Sequence, residues 1–355
     1  MTRWIGRVLA ACFALVLIDI VAALVRARAT PATRVVDRRT GEPVAERRPA
    51  VEQALIALVW STVTGSRLLC RFRPFLDYLS RMTEATGRAM DAPSSREKIA
   101  RFVAAYQVDL ADLDRDLTEF ATMNEFFSRP LRAGSRPVAA PDDPSIAVSP
   151  ADCRLRCVDR LGADSSLVVK ARDHSVRSLL GLDRRTMRDD PGCAAVAAFH
   201  DRTEPTGFAA MICRLAPADY HRYHWPVDGL WDADTGVDIA GEYHSVSPTA
   251  VNSAVDVLGV NHRRVVLVET EAFGTVAIVI VGATRVGSIL LTATSGAVER
   301  GDELGLFRFG GSTVVMLFDS SRIALDDDLR AASADGFEMM VRMGDSIGRA
   351  VGSAS

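Results

Sequence analysis

Three short stretches of the chain carry side chains suited to one piece of chemistry, the attack of a hydroxyl on a backbone carbonyl. Phe309-Gly310-Gly311-Ser312-Thr313-Val314 leads into an apolar run. Its two glycines lack a Cβ, so the backbone ahead of Ser312 can adopt conformations closed to other residues. The Ser312 hydroxyl can then approach the carbonyl of Gly311. Such an attack needs a base, and a neutral imidazole steered by a carboxylate is a common solution. Asp219-Tyr220-His221-Arg222-Tyr223-His224 supplies two imidazoles, and Ser149-Pro150-Ala151-Asp152 supplies a carboxylate. Each stretch also has an ordinary use: Gly-Gly-Ser as a turn, Asp after Pro-Ala as a turn former, the histidines as local packing and caps. Spacing along the chain does not by itself bring the three together.

The elements that must position these groups divide the chain at about residue 123. At 355 residues, 48% hydrophobic and 25% charged, there is enough apolar material for a full core and more than one structural unit. Beyond Pro130, short runs rich in Val and Ile are bounded by Gly, Pro, Asp and Asn. Ala147-Val148, Val265–Val268, Val276–Val281 and Val314–Phe318 therefore read as buried strands. The spacing of Phe337, Met340, Val341 and Ile347 predicts a helix within Ala331–Val351. Residues 51–122 read as helical, with Leu55, Leu58, Val59 and Thr62 on one face, and residues 27–50 read as a polar linker. The fold class is α+β: a helical, membrane-facing N-terminal part, then a β-rich, barrel- or sandwich-like catalytic domain over 123–355 with a C-terminal helix.

Ahead of the linker, Val8–Val25 is eighteen residues long and broken only by Asp19. That is the lower limit for a helix spanning a hydrocarbon core of about 30 Å. The heavier cluster of arginines follows the segment, which favours an N-terminal membrane anchor over 1–26 with the body on the cytoplasmic face. A cleaved signal peptide and a helix lying in the interface are the competing readings. The net charge of -3 gives no support to a nucleic-acid partner. All but two of the 42 basic residues are arginines, a fork suited to phosphate and carboxylate, although a genome-wide compositional bias explains the same excess. Six cysteines show no paired framework, which points to free thiols. Cys153 and Cys157 lack a second pair, and no metal site is expected.

Several ordered motifs join the three stretches. Met123-Asn124-Glu125-Phe126-Phe127-Ser128-Arg129-Pro130-Leu131, Gly241–Pro248, Val281–Ile289, Arg300-Gly301-Asp302-Glu303-Leu304-Gly305 and Val341–Asp345 occur in order with them over about 124–348. Together they resemble the phosphatidylserine decarboxylase family of self-cleaving, pyruvoyl-dependent enzymes. The resemblance implies that Asp152 orients His224, that His224 takes the proton of Ser312, and that the chain is cut between Gly311 and Ser312. Ser312 then becomes a pyruvoyl group heading a 44-residue chain, with 311 residues in its partner chain. That carbonyl takes the substrate amine and holds the electrons released as carbon dioxide leaves, while His221 returns a proton. The implied substrate is phosphatidylserine, the implied product phosphatidylethanolamine, and the implied partner a membrane. A soluble, for example aromatic, amino acid substrate and a non-catalytic lipid-binding domain are the alternatives, and pairing of two copies stays open. The chain departs from the family pattern at Cys153 (usually Gly), at Ser247 (usually Asn) and at an inserted Ala272. Cys153 would be strained if that position required a positive φ.

Overall fold

A strand buried on both faces has no polar side to alternate with, so its sequence is an unbroken apolar run. The computed structural model, which describes residues 34–62, 64–162, 175–183, 191–284, 289–309 and 312–352 together with Asp19 and Val21, has such strands at its centre. In chain order the strands are β1 (Val35–Asp37), β2 (Pro43–Val44), β3 (Ile146–Val148), β4 (Cys153–Leu161), β5 (Phe208–Leu215) and β6 (Arg222–His224). There follow β7 (Gly229–Trp231), β8 (Val237–Ile239), β9 (Arg263–Thr270), β10 (Gly274–Val281), β11 (Ile289–Leu291) and β12 (Gly296–Val298). The last five are β13 (Glu303–Phe307), β14 (Ser312–Asp319), β15 (Ile323–Leu325), β16 (Glu338–Val341) and β17 (Ser346–Ala350).

Among the described residues, one large sheet runs β12-β7-β9-β10-β14-β5-β4-β16-β1-β2, with β8 also paired to β9. Its pairings are antiparallel except for β1 beside β16. Side chains alternate across a strand, so β14 presents Val314, Met316 and Phe318 to one face and Val315 and Leu317 to the other. The first face is covered by two small sheets, β11-β13-β6 and β15-β17-β3. They contribute Tyr223, Leu304, Phe307 and Ile347 to a shared core. The second face is covered by helices that bury Val176, Leu179, Val196 and Phe199, and by Trp60. A third cluster packs the helices Arg73–Asp91 and Ile99–Tyr106 against Met123–Phe127 through Phe102, Phe126 and Phe127.

The α+β class and the four predicted strand runs agree with this architecture, and three expectations need correction. The large sheet is open, with β12 and β2 at its edges, so it is not a barrel. The last described elements are strands rather than a helix. The helix Asp327–Ala334 stops before Gly336, whose φ is 80°, and β16 and β17 follow. Met339 and Val341 alternate with half-buried neighbours and pair opposite Leu155 and Cys153, so the period of two prevails over the helical spacing. The expected linker enters the sheet as β1 and β2, and its Arg38 is held by Asp326 and Asp328. Its polar composition misled because its charges find partners some 290 residues away.

Among the described residues of 51–122, several helical segments occur, the longest Arg73–Asp91, with turns between Tyr106 and Leu117. The anchor expected over 1–26 lies outside the described residues apart from Asp19 and Val21, and Asp19 accepts a hydrogen bond from the backbone of Thr64 at 2.9 Å. No single helix among the described residues is long and apolar enough to cross a membrane. The helices Ala50–Ser61 and Thr64–Arg71, bent by 64°, reach that length and composition only as a pair.

Candidate active site

Ser312 opens β14 in the middle of the large sheet, paired opposite Leu215 of β5. It shares a face with Val314, so its hydroxyl is directed at the small sheets and is fully buried there. The strand β6 and the turn before it bring His221 to the same place. His221 Nδ1 lies 3.3 Å from Ser312 Oγ, and Nε2 lies 3.0 Å from the carbonyl of Ala216. A carbonyl only accepts, so Nε2 carries the ring hydrogen and Nδ1 presents its lone pair to the hydroxyl. Phe127 stacks on the other side of the imidazole at 3.8 Å and 22°. Burial, and then the nearby charges of Arg129 and Arg154, push the His221 pKa down to about 3. At neutral pH this imidazole is uncharged and able to accept.

His224 sits at the end of β6 in a different set of contacts. Its backbone N–H donates to the Pro150 carbonyl at 2.8 Å, which places it beside the loop bearing Asp152. Its Nδ1 donates to Gly301 O at 2.7 Å, and Nε2 accepts from the Tyr220 hydroxyl at 3.0 Å. Burial lowers its pKa too, against a smaller opposing pull from the hydrogen bond to Gly301 and then from the charges of Glu303 and Asp152. The Asp152 carboxylate is bound by Arg136 at 2.6 to 3.1 Å and by the Met343 backbone N–H at 2.9 Å. Of the four expected site residues, Ser312 and His221 meet directly, while the expected relay of Asp152 to His224 to Ser312 is not hydrogen-bonded. The ring at the serine is His221, because both nitrogens of His224 are engaged by Tyr220 and Gly301. Gly310 and Gly311, and with them the expected scissile bond, lie outside the described residues.

Sequence reasoning noted the Met123–Leu131 motif without finding its work. Thr122 caps the helix Met123–Phe127 by accepting from Glu125 N at 3.1 Å. The helix thereby holds Phe127 on His221 and Asn124 under the approach to Ser312. Asn124 Oδ1 accepts from Phe309 N at 2.7 Å, and its Nδ2 donates to Asp91 at 2.9 Å. Arg129, 3% exposed, lies over the Phe126 ring and donates to Ala218 O at 3.0 Å. Asp219, also unassigned, accepts from Ala216 N at 2.6 Å and so shapes the turn whose carbonyl holds His221.

The departures from the family pattern are accommodated locally. Cys153 is the first residue of β4 and is not among the residues with positive φ, so the side chain adds no backbone strain. Ser247 caps the helix Pro248–Val251. Ala272 lies in the three-residue loop between β9 and β10, closed by Gly274 at φ 70°. Cys70, Cys153, Cys157 and Cys213 are free, buried thiols. No group of three or more His, Cys, Asp or Glu side chains suited to a metal gathers among the described residues.

The central strand of the open sheet begins with a buried serine beside an imidazole, and comparison with known proteins supplies the class. The family described as phosphatidylserine decarboxylase matches residues 123–349, and the chain belongs to that family. Among its relatives, the Clostridium perfringens phosphatidylserine decarboxylase proenzyme is 33% identical over 263 residues, covering 74% of this chain and 83% of the relative. Phosphatidylserine decarboxylase proenzyme 3 of Schizosaccharomyces pombe is 35% identical over 320 residues, 90% of this chain but 31% of the relative. Proenzyme 2 of Oryza sativa is 38% identical over 276 residues, 77% of this chain and 41% of the relative. The chain thus spans well under half the length of these two larger relatives.

Proposed function

We propose that the chain cleaves itself at Gly311–Ser312 and then decarboxylates phosphatidylserine to phosphatidylethanolamine. The contact between Ser312 Oγ and His221 Nδ1 carries this reading. In the first step His221 takes the hydroxyl proton as Oγ bonds to the Gly311 carbonyl carbon, and the C–N bond of that peptide breaks to leave an ester. Removal of the Ser312 α-proton then expels the Gly311 carboxylate, and water releases the nitrogen as ammonia. Burial of Ser312 at the head of a doubly paired strand suits a ketone that must be kept from bulk water. The resulting pyruvoyl group supplies an electron sink for the amine-bearing substrate. His221, neutral and dry, and His224, held by Tyr220 and Gly301, are the groups that would hold or return a proton beside it.

A lipid substrate is supported by where the apolar surface lies. Of the large exposed hydrophobic residues among the described ones, Val21, Val51, Leu55, Leu68, Phe72 and Tyr78 lie in the N-terminal part, and only Leu230 and Val351 lie elsewhere. This part is the face we assign to the membrane.

Intact mass of the purified protein tests the proposal. Wild type should give two fragments with the cut before Ser312, and Ser312→Ala a single uncut chain. His221→Ala should remain uncut, while His224→Ala should still be cut. The opposite pattern would make His224 the base and the observed contact a resting one. Turnover of phosphatidylserine in detergent, with none of free aromatic amino acids, separates the lipid from the soluble substrate.

A further inference from the structure

The guanidinium of Arg129 is buried against the turn that leads to His221, and its charge acts on that ring. It rests on the Phe126 ring, and Nη2 donates to Ala218 O at 3.0 Å. Its Nε and Nη1 have no acceptor among the described residues. The two carboxylates whose charges reach it are committed elsewhere. Asp219 pairs with Arg154, and Asp152 is held by Arg136 and by Met343 N. Burial pushes the Arg129 pKa down to about 10, against the pull of Asp219 and then Asp152, so the group stays charged at neutral pH. A buried cation without a counter-ion is costly to keep, and a fold that keeps one calls for a ligand or a catalytic role.

Phosphatidylserine carries two anionic groups, a carboxylate and a phosphodiester. A cation fixed on the carboxylate would hold the charge that must leave it, stabilising the ground state against decarboxylation. The phosphodiester keeps its charge throughout the reaction, and a guanidinium suits its oxygens. We infer that Arg129 binds the phosphodiester of the lipid head group and so selects a phospholipid over a free amino acid. This rests on the reading of phosphatidylserine as substrate, which wild-type turnover tests separately.

The experiment uses full-length Arg129→Met and Arg129→Lys, with Arg330→Met removing an equal charge from an exposed pair with Asp159. Binding is measured by calorimetry in the Ser312→Ala background, which forms no ketone to trap an amine, so this arm stands whether or not the variants are cut. Glycerophosphoethanolamine supplies a phosphodiester without a carboxylate, and free serine a carboxylate without a phosphodiester. Arg129→Met should weaken glycerophosphoethanolamine by about tenfold or more, as for one lost charge-assisted hydrogen bond, while Arg330→Met matches the parent. Arg129→Lys, which keeps the charge, should recover part of the loss, and none of the substitutions should alter free serine. With Ser312 intact, Arg129→Met should raise KM for phosphatidylserine in detergent by a similar factor, with a smaller change in kcat. Its thermal midpoint should hold, because an apolar chain replaces a cation that has no counter-ion. Glycerophosphoethanolamine that fails to bind the parent, or binds the parent and Arg129→Met alike, overturns the inference alone. Arg129-dependent binding of serine but not of the phosphodiester overturns it too, since the carboxylate would then be the anchor. Failure of both Arg129 variants to fold also overturns it, leaving Arg129 a role in stability only. Wild type that turns over free aromatic amino acids and no phosphatidylserine overturns the proposed substrate with it.

Discussion

A serine hydroxyl is a weak nucleophile, and what changes here is the state of the ring beside it. His221 is kept neutral by burial and by two arginines, and its free lone pair is chosen by the Ala216 carbonyl on the opposite nitrogen. Phe127 completes the enclosure. It is fully buried, stacks on the imidazole at 3.8 Å and also meets Phe309 and Phe102. Phe127→Ala should cost about 3–5 kcal/mol of stability by opening a cavity. It should also let water reach His221, raising its pKa from about 3 towards 6.5, so that cutting fails at a higher pH than in wild type. Urea unfolding and the rate of cutting against pH check the two effects. A variant that loses stability but keeps its acid limit would show that Phe127 only packs.

At the scale of the element, a helix of five residues, Met123–Phe127, connects the helical N-terminal part to the segment entering β14. So short a helix is not stable alone and depends on its cap and its contacts. Thr122→Ala, which removes the cap on Glu125 N, should cost about 1 kcal/mol and slow cutting only modestly. Asn124 is a more severe position because it satisfies Phe309 N and Asp91 at once. Asn124→Leu leaves the part-buried Phe309 amide without its partner, which costs about 1–3 kcal/mol, while the exposed Asp91 carboxylate keeps Arg308 at 3.2 Å. The segment before Ser312 would lose its anchor, and cutting at fixed pH should fall by about tenfold or more. Fragment yield over time, compared between the two variants at matched stability, measures this. Equal rates for both would remove Asn124 from the positioning of the segment.

The whole molecule explains why a cut chain would stay assembled. From Ser312 onward, β14 lies between β10 and β5, β16 between β4 and β1, and β17 beside β3. Both products of cleavage would therefore share the same sheets and the same core. They should elute as one species under native conditions and separate only in denaturant; spontaneous separation of the fragments in buffer would contradict the interleaved topology. The molecule's response to acid also follows from its buried histidines. Burial lowers the pKa of His221 to about 3, of His244 to about 4, and of His224 and His262 in the same direction. Their folded values lie below the unfolded value of 6.5, so the unfolded chain binds protons that the folded chain refuses. Stability is then fully present above about pH 6.5 and is lost as pH falls towards 3. Glu46, lowered from 4.5 to about 2 in spite of its own burial by Arg214 and Arg154, adds to the loss below pH 4.5. Asp219, whose pKa burial raises, works in the opposite direction. The urea midpoint should therefore drop between pH 7.5 and 5 and drop further below 4.5. A midpoint that is flat across this range would mean that these rings are hydrated.

The strands that carry the site were legible because covering a strand on both faces leaves a local mark in its sequence. Val314–Phe318 and Val276–Val281 read as buried strands since a strand covered on both faces must be apolar throughout. Asp152, His221, His224 and Ser312 stood out because few side chains can move a proton from a hydroxyl. Which histidine meets Ser312 was not legible. Both lie within four residues, and the choice follows from the Ala216 turn on one side and from the hold of Tyr220 and Gly301 on the other. Residues 34–48 and 338–350 were misread for a related reason. A short strand such as β1 or β16 is stabilised by a partner strand far away in sequence, and an ion pair such as Glu46 with Arg214 spans 168 residues. Composition and local spacing hold no record of such partners. The sequence alone determined the apolar strands and the ordered motifs between them; tertiary structure alone decided their register, their partners and which imidazole lies beside Ser312, because those depend on long-range pairing.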